Sequence, residues 1–186
     1  MASGLTDEVE SDDTVFEVTR ARIPWLLIGL FGGLIVALML GENEGDIKSV
    51  PALALFMPLI AAMAGNVGVQ SSAIVVQALA SDKKEQNIIA KLWKELSVGL
   101  VNGLILASTM YGAGLLLGYD QLVTLTVAVS LLTVIVFASL FGTFIPLLLN
   151  RFNIDAALAT GPFITTANDV IGLIIYFQIG RYIIGY

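Results

Sequence analysis

The stretch that decides the fold covers residues 51–81 and reads PALALFMPLIAAMAGNVGVQSSAIVVQALAS. It contains no charged residue, and it is longer than the roughly 20 apolar residues that a helix needs to cross the hydrocarbon core of a bilayer. Near its middle it carries Asn66, Gln70 and Ser71. Such side chains are costly in lipid and must face protein or water. The stretch therefore predicts a transmembrane helix with a polar feature at membrane depth.

Four further windows are similarly apolar and cover residues 23–41, 96–119, 121–151, whose one charge is its last residue, and 156–180, whose one charge is Asp169. The whole chain is 57% hydrophobic and 13% charged, with a mean hydropathy of +0.90. A soluble domain of this size needs far more charge to cover its surface. The sequence thus predicts an all-α integral membrane protein with five transmembrane helices per protomer. We expect it in the plasma membrane, with the lipid bilayer and not nucleic acid as its partner.

The charges outside these windows predict the domain organisation and the orientation. Residues 1–19 are acidic and poor in apolar residues, so we expect a mobile cytoplasmic leader ahead of a single membrane domain at residues 20–186. Positive charge concentrates on the cytoplasmic side of a membrane protein. One side of the predicted bundle receives only Lys48 and Arg181, and the other receives the remaining cations, which are Arg20, Arg22, Lys83, Lys84, Lys91, Lys94 and Arg151. We therefore expect a cytoplasmic N-terminus and an extracellular C-terminus.

Several local features predict irregular or closely packed helices. Because the window 51–81 contains Pro58, Gly65 and Gly68, we expect its helix to be steeply tilted or broken, and we expect the fourth helix to end near Pro146. Small residues allow membrane helices to approach closely. In the third helix they predict contacts at Gly99, Gly103, Gly112, Gly114 and Gly118.

Asp169 is the leading candidate for a functional residue because it is a carboxylate inside the fifth window. A charge at the bilayer centre costs at least roughly 2.5–3.5 kcal/mol on insertion scales, so such residues mark ion or proton paths. A protonated aspartate that bonds a neighbouring helix remains the alternative. The chain has no cysteine and no histidine. A bound metal must therefore be held by oxygen atoms, which favours Mg²⁺ or Ca²⁺.

The neighbours of Asp169 add oxygen atoms and space. Thr165 and Thr166 precede it by one turn and share its face, Asn168 is adjacent, and Gly172 leaves room for a hydrated ion or a second helix. If a two-fold axis lies beside this helix, two Asp169 carboxylates meet at one depth. Mg²⁺ keeps most of its waters and binds one or two carboxylates, which suits this arrangement.

The polar string at residues 65–72 has two readings. It is either a seam where helices pack or a pore lining that works with Asp169. Residues 58–72, with Gly65, Asn66, Gly68 and Gln70, followed by Ala-Leu-Ala at residues 78–80, resemble the second helix of the MgtE family of magnesium channels. The string Asn-Asp-Val-Ile-Gly at residues 168–172 resembles the closing helix of that family.

The resemblance implies a homodimer with a pore between the protomers, lined by the second and fifth helices. It places the family's pore aspartate, which holds a hydrated Mg²⁺, on Asp169, and the polar pore positions on Asn66, Gln70 and Ser71. Bacterial members usually carry a large cytoplasmic gating region ahead of the membrane part. The present chain is therefore expected to be an excised membrane domain with separate regulatory domains, or a short form related to the solute-carrier branch.

The prediction is a voltage-driven channel or facilitator for Mg²⁺, with Mn²⁺ or Co²⁺ as further ions, and not an enzyme. Its site comprises Asp169, Asn66, Gln70, Ser71, Thr165, Thr166, Asn168 and Gly172. A proton- or sodium-coupled carrier, in which Asp169 titrates, is the main alternative. A membrane assembly subunit without transport, with Asp169 as an interhelical bond, is a third. An intramembrane hydrolase is disfavoured because there is no histidine base and we see no paired aspartates in the membrane.

Overall fold

The computed structural model describes residues 13–81, 87–156 and 161–185. Regular structure in these ranges is α-helical throughout. Five of the helices are long and apolar enough to cross a membrane, which confirms the predicted five-helix, all-α architecture. The helices are α1 (Val15–Glu42), a short α2 (Glu44–Ser49) that the sequence did not predict, α3 (Ala52–Ala80), α4 (Ile88–Leu116), α5 (Gln121–Arg151) and α6 (Pro162–Ile184).

The first helix begins earlier than the hydropathy pattern predicts. Thr14 caps it, accepting a hydrogen bond from the backbone N–H of Glu17, while the Glu17 carboxylate accepts from the backbone N–H of Thr14 at 2.9 Å. This reciprocal pair satisfies two N–H groups that a helix start leaves open. Residues 15–19, which we assigned to the mobile leader, therefore belong to α1. Residues 1–12 of that leader lie outside the described ranges.

The bundle is built around α3, α5 and α6, which pack on one another, while α4 packs on α5 and α1 packs on α6. Small residues make the α4–α5 contact possible. Gly99 faces Ser139, Gly103 faces Leu132 and Gly114 faces Thr124, which confirms the predicted close contacts at these three glycines. The prediction is wrong for Gly112, which has nothing near its missing side chain, and for Gly118, which lies beyond the helix end in open space.

Of the two predicted forms of the helix with Pro58, tilted or broken, the broken form is wrong, and so is the predicted end of the fourth helix near Pro146. α3 runs without interruption through Pro58, and α5 continues past Pro146 to Arg151. A proline removes one backbone hydrogen bond, whereas a break within a membrane leaves several backbone groups without partners. Continuing the helix is therefore the less costly solution at both positions.

The last helix begins later than predicted, at Pro162 instead of residue 156. Gly161 precedes it with φ 85°, a backbone conformation that glycine adopts without strain, and proline is well suited to the first helical position. Asp169 follows two turns later, about 10 Å along the helix. It therefore lies closer to the centre of α6, near Leu173, than to its start, in agreement with its expected position inside the span.

Hydrogen bonds fix which helix ends share a face of the bundle. In the last turns of α6, Arg181 Nε lies 2.8 Å from Asp46 Oδ2 and its Nη2 donates to Asn43 Oδ1 at 2.6 Å. The Tyr176 hydroxyl donates to the backbone carbonyl of Leu53 at 2.9 Å. The end of α1, the start of α3 and the end of α6 thus lie together, and α3 and α5 end on the opposite face, where α4 begins.

Candidate functional site

A cavity of about 380 Å³ lies between α3 and α6, and Asp169 forms part of its wall. Helical periodicity explains which residues line it. Residues four apart lie on the same face of a helix, so Asn66 and Gln70 point into the cavity from α3, and Thr165 and Asp169 do so from α6. The complete lining is Ala62, Gly65, Asn66, Val69, Gln70, Thr165 and Asp169.

Gly65 allows the two helices to approach at the level of the carboxylate. A Cβ atom at this position would lie 3.3 Å from Asp169 Oδ1 and 3.0 Å from Thr165 Cγ2. Both distances are shorter than ordinary contacts between carbon and its neighbours. Glycine at position 65 therefore leaves the space in which the Asp169 carboxylate sits.

The Asp169 carboxylate is half-buried and makes no hydrogen bond or ion pair within the described residues. The side chains of Asn66 and Gln70 are exposed on the same side of the protomer. Among the described residues there is also no group of three or more acidic side chains that would hold a bare metal ion. A single protomer thus offers one carboxylate, two amides and one hydroxyl. All four groups carry oxygen atoms of the kind that bind Mg²⁺ or its water ligands.

Thr166 contacts α1 and does not line the cavity that contains Asn66. Its methyl group fills the place that a side chain would take at Gly32 of α1. Thr166 and Asp169 also border a second, smaller cavity of about 220 Å³ between α1, α3 and α6. Asp169 is therefore reached from two sides of α6, and Thr166 lies on the α1 side.

Asn168 lies on the face of α6 next to the large cavity, in a contact that we call the buried junction, formed by Gly68, Gly142, Ile164 and Asn168. The Asn168 amide occupies the place of the missing Gly68 side chain, and the carbonyl of Gly68 lies against Gly142 of α5. Asn168 is 0% exposed. Its amide nitrogen and oxygen have no hydrogen-bond partner within the described residues. The junction closes the space between three helices next to the open cavity.

Two further predicted site residues also lie away from the cavity. Gly172 is buried, and a Cβ atom there would lie 3.2 Å from Ala64 Cβ and 3.3 Å from Val134 Cγ1, so its space is taken by helices and not by an ion. Ser71 is buried and donates a hydrogen bond to the Glu95 carboxylate of α4. Of the eight predicted residues, the structure brings Asp169, Asn66, Gln70 and Thr165 together in the large cavity.

Glu95 is an acidic residue that lies just outside the predicted membrane window 96–119. α4 begins at Ile88, so Glu95 lies two turns inside a candidate membrane span. The signal was present in the sequence, because the apolar residues Ile88, Ile89, Leu92 and Trp93 precede it. An uncharged window cannot include this helix start, because Lys91 and Lys94 interrupt the apolar pattern.

Comparison with known proteins identifies the family. A family model described as "Divalent cation transporter" and named MgtE matches residues 57–179. The chain is 33% identical over 173 residues to the magnesium transporter MgtE of Bacillus subtilis (strain 168), which covers 92% of this chain and 38% of that protein. It is also 33% identical over 181 residues to the magnesium transporter MgtE of Thermus thermophilus, covering 97% of this chain and 40% of that protein.

A third relative, the magnesium transporter MgtE of Enterococcus faecalis, is 33% identical over 187 residues, with 99% of this chain and 41% of the relative covered. The chain thus spans about two fifths of the length of the curated relatives it matches. With its five candidate membrane spans, it is a multi-pass membrane protein. The family model and the three relatives are all described as transporters and not as enzymes, and the chain belongs to the MgtE family of divalent cation transporters.

Proposed function

We propose that this chain forms the membrane pore of a magnesium transporter, in which two copies surround one ion path lined by α3 and α6. The observation that carries the proposal is the Asp169 carboxylate, which has no partner within the described residues and lies in a cavity beside Asn66, Gln70 and Thr165. We assign the ion contact to these four residues. Ser71, Asn168, Gly172 and Thr166 act by packing the helices that hold them.

The exposed amides support the participation of a second copy. Asn66 and Gln70 are exposed in the middle of a candidate membrane span, where a polar side chain facing hydrocarbon is costly. A second copy placed on this face covers them and encloses water between the protomers. It also brings a second Asp169 to the same depth, which gives the two carboxylates that Mg²⁺ commonly uses.

The size of the cavity supports passage of a hydrated ion. Mg²⁺ prefers six oxygen ligands and releases its waters reluctantly. Six waters occupy roughly 180 Å³ at their share of liquid volume, and the cavity of one protomer measures about 380 Å³. The amides of Asn66 and Gln70 then contact the ion through its waters, and the carboxylates supply the charge that favours a divalent cation.

The membrane potential supplies the driving force in this proposal. Lys and Arg residues concentrate on the face where α4 begins and α3 and α5 end, which we assign to the cytoplasm in the plasma membrane. A divalent ion gains about 4.6 kcal/mol on crossing 100 mV, twice the value for a single charge. Entry of Mg²⁺ through a passive pore is therefore favourable without a coupled reaction.

The test is uptake of Mg²⁺ by proteoliposomes at an imposed negative-inside voltage. A charge-assisted contact contributes roughly 1.5–3 kcal/mol, so Asp169→Asn is expected to lower uptake at limiting Mg²⁺ by roughly ten- to a hundredfold. The matched control is Glu95→Gln, which removes a carboxylate that already has a partner in Ser71 and should leave uptake within about twofold.

Three outcomes contradict the proposal in different ways. Uptake that follows an imposed pH or sodium gradient and ignores voltage identifies a coupled carrier. Equal uptake by the wild type and Asp169→Asn removes Asp169 from the ion path. Absence of divalent-ion flux under every voltage and gradient leaves a membrane assembly subunit in which Asp169 serves helix contacts only.

A further inference from the structure

A further cleft lies near the C-terminal end of α3, between the last turns of α3, the first turns of α4 and the last turns of α5. Its volume is about 200 Å³. Lys91, Lys94 and Glu95 of α4 contribute its charges, and Thr143 of α5 forms part of its wall. None of these residues lines the cavity of Asp169.

The inner wall of this cleft contains a polar group with no partner. Thr143 is 2% exposed, and its hydroxyl makes no hydrogen bond within the described residues. A buried hydroxyl without a partner is uncommon in folded proteins and has a free-energy cost. A ligand that brings an acceptor oxygen into the cleft would remove that cost.

The charges of the cleft favour an anion. Two lysines, Lys91 and Lys94, and one carboxylate, Glu95, line the cleft, and the carboxylate accepts a hydrogen bond from Ser71 on the α3 side. Lysine side chains bind phosphate groups as mobile point charges. The pair can therefore reach a phosphate at the mouth of the cleft, while Ser71 holds Glu95 towards α3.

The apolar surroundings and the depth of the cleft indicate a lipid. Ile74 and Val98, which flank it, are 62% and 42% exposed and present an apolar surface where acyl chains would lie. Trp93, at 65% exposure, stands between the two lysines in the sequence, and tryptophan favours the headgroup zone of a bilayer. Basic pockets between helices on the cytoplasmic side are typical binding sites for anionic lipid headgroups.

We propose that this cleft binds the phosphate headgroup of an anionic phospholipid of the cytoplasmic leaflet. The phosphate lies between Lys91 and Lys94 with one oxygen accepting from the Thr143 hydroxyl, and the acyl chains follow Ile74 and Val98. The proposal rests on the orientation proposed above, but not on the ion path. Failure of magnesium transport would therefore leave it standing, and loss of lipid binding would leave the ion path standing.

The experiment is native mass spectrometry of the purified full chain, titrated with phosphatidylglycerol or with phosphatidylcholine of the same acyl chains. The wild type should prefer phosphatidylglycerol. Each lysine near an anionic headgroup contributes roughly fivefold in affinity, so the double variant Lys91→Gln/Lys94→Gln should lose roughly 25-fold. Lys48→Gln is the matched control, since Lys48 lies on the opposite face and pairs with Glu44.

Further arms identify the source of the phosphate and the role of the cleft. Thr143→Val should lower the preference without changing charge, and Glu95→Gln should raise it. Inorganic phosphate should not displace the lipid, because it lacks the acyl chains. Displacement by inorganic phosphate at similar concentration would overturn the lipid assignment.

Two results contradict the proposal outright. One is an unchanged preference in a double variant that keeps the wild-type circular dichroism and elution volume. The other is a wild type without preference that gains one when the acidic residues Asp7, Glu8, Glu10 and Asp12 are neutralised. That result would show that an acidic segment of the protein, and not a lipid, occupies the lysines.

Discussion

Asp169 and Asn168 are neighbours in the sequence, yet α6 presents them to opposite environments. Asp169 borders an open cavity of about 380 Å³ with two exposed amides beside it. Asn168 is fully enclosed in the buried junction with Gly68, Gly142 and Ile164. The contact between α3 and α6 therefore combines an open, polar face that carries a carboxyl group with a closed face that carries none.

In the proposed pore, this difference explains how one pair of helices holds the ion site in place within a membrane. Helices in lipid associate through close packing of small residues, because lipid is as apolar as the helices themselves. The junction supplies that packing at Gly68 and Gly142. Because the junction holds the helices together, the neighbouring face of α3 does not have to. That face, with Gly65, Asn66 and Gln70, can therefore carry polar groups.

The largest expected effect comes from moving the charge into the junction with Asn168→Asp. A buried charge without a partner destabilises a protein by roughly 3–5 kcal/mol. The thermal unfolding midpoint of this variant in detergent should fall well below that of the wild type. Asp169→Asn, the matched control one residue away, should unfold at the wild-type temperature because its side chain faces the cavity.

Equal stability of the Asn168→Asp variant and the wild type would show that water reaches the junction. The distinction between the two faces of α6 would then not hold, and Asn168 would return to the list of candidate ion contacts.

A smaller effect separates the two glycines of α3. A Cβ atom at Gly68 would overlap the Asn168 amide and lie 2.9 Å from Ile164 Cγ2, so Gly68→Ala should lower the free energy of unfolding by roughly 1–3 kcal/mol. Gly65→Ala places its methyl group beside Asp169 and Thr165 at the edge of the cavity. It should reduce Mg²⁺ uptake by roughly two- to tenfold, with less than about 1 kcal/mol lost in stability.

Both glycine variants are measured in two assays, unfolding in detergent and Mg²⁺ uptake in proteoliposomes. The two assays together show whether each glycine affects stability or transport. If Gly68→Ala lowers uptake while keeping full stability, the junction moves or conducts. If Gly65→Ala changes neither quantity, the cavity wall does not contribute to the ion path.

Much of the fold was readable from the sequence because lipid imposes simple rules. Apolar windows of sufficient length with at most one charge predict the five membrane helices, and Asp169 is conspicuous as a carboxylate within one of them. The starts of α1 and α6 were misplaced because capping at Thr14 and the backbone of Gly161 set them, and hydropathy does not report either feature. The sequence also left open whether α3 is continuous through Pro58, and it placed the end of α5 too early, near Pro146.

Only part of the candidate site could be predicted from the sequence, for a geometric reason. Successive residues of a helix are rotated by about 100°, so a run of polar residues faces several directions. Asn66 and Gln70, four apart, share the cavity, whereas Ser71 turns to Glu95. Thr165 shares the face of Asp169, while Asn168 turns to Gly68. Which face meets a neighbouring helix depends on the packing of α5 and α6, which no local pattern specifies.

The most direct test of the central claim, that the face with Asn66 and Asp169 is a wet ion path, is cysteine labelling. The chain has no cysteine, so Asn66→Cys and Leu104→Cys each introduce a single thiol. Leu104 is 55% exposed on α4, and a thiol facing lipid does not form the reactive thiolate. We expect a charged, membrane-impermeant thiol reagent to label Asn66→Cys, more slowly when Mg²⁺ is present, and to leave Leu104→Cys unlabelled. Equal labelling of both variants, or labelling of Asn66→Cys that Mg²⁺ does not slow, would contradict the account.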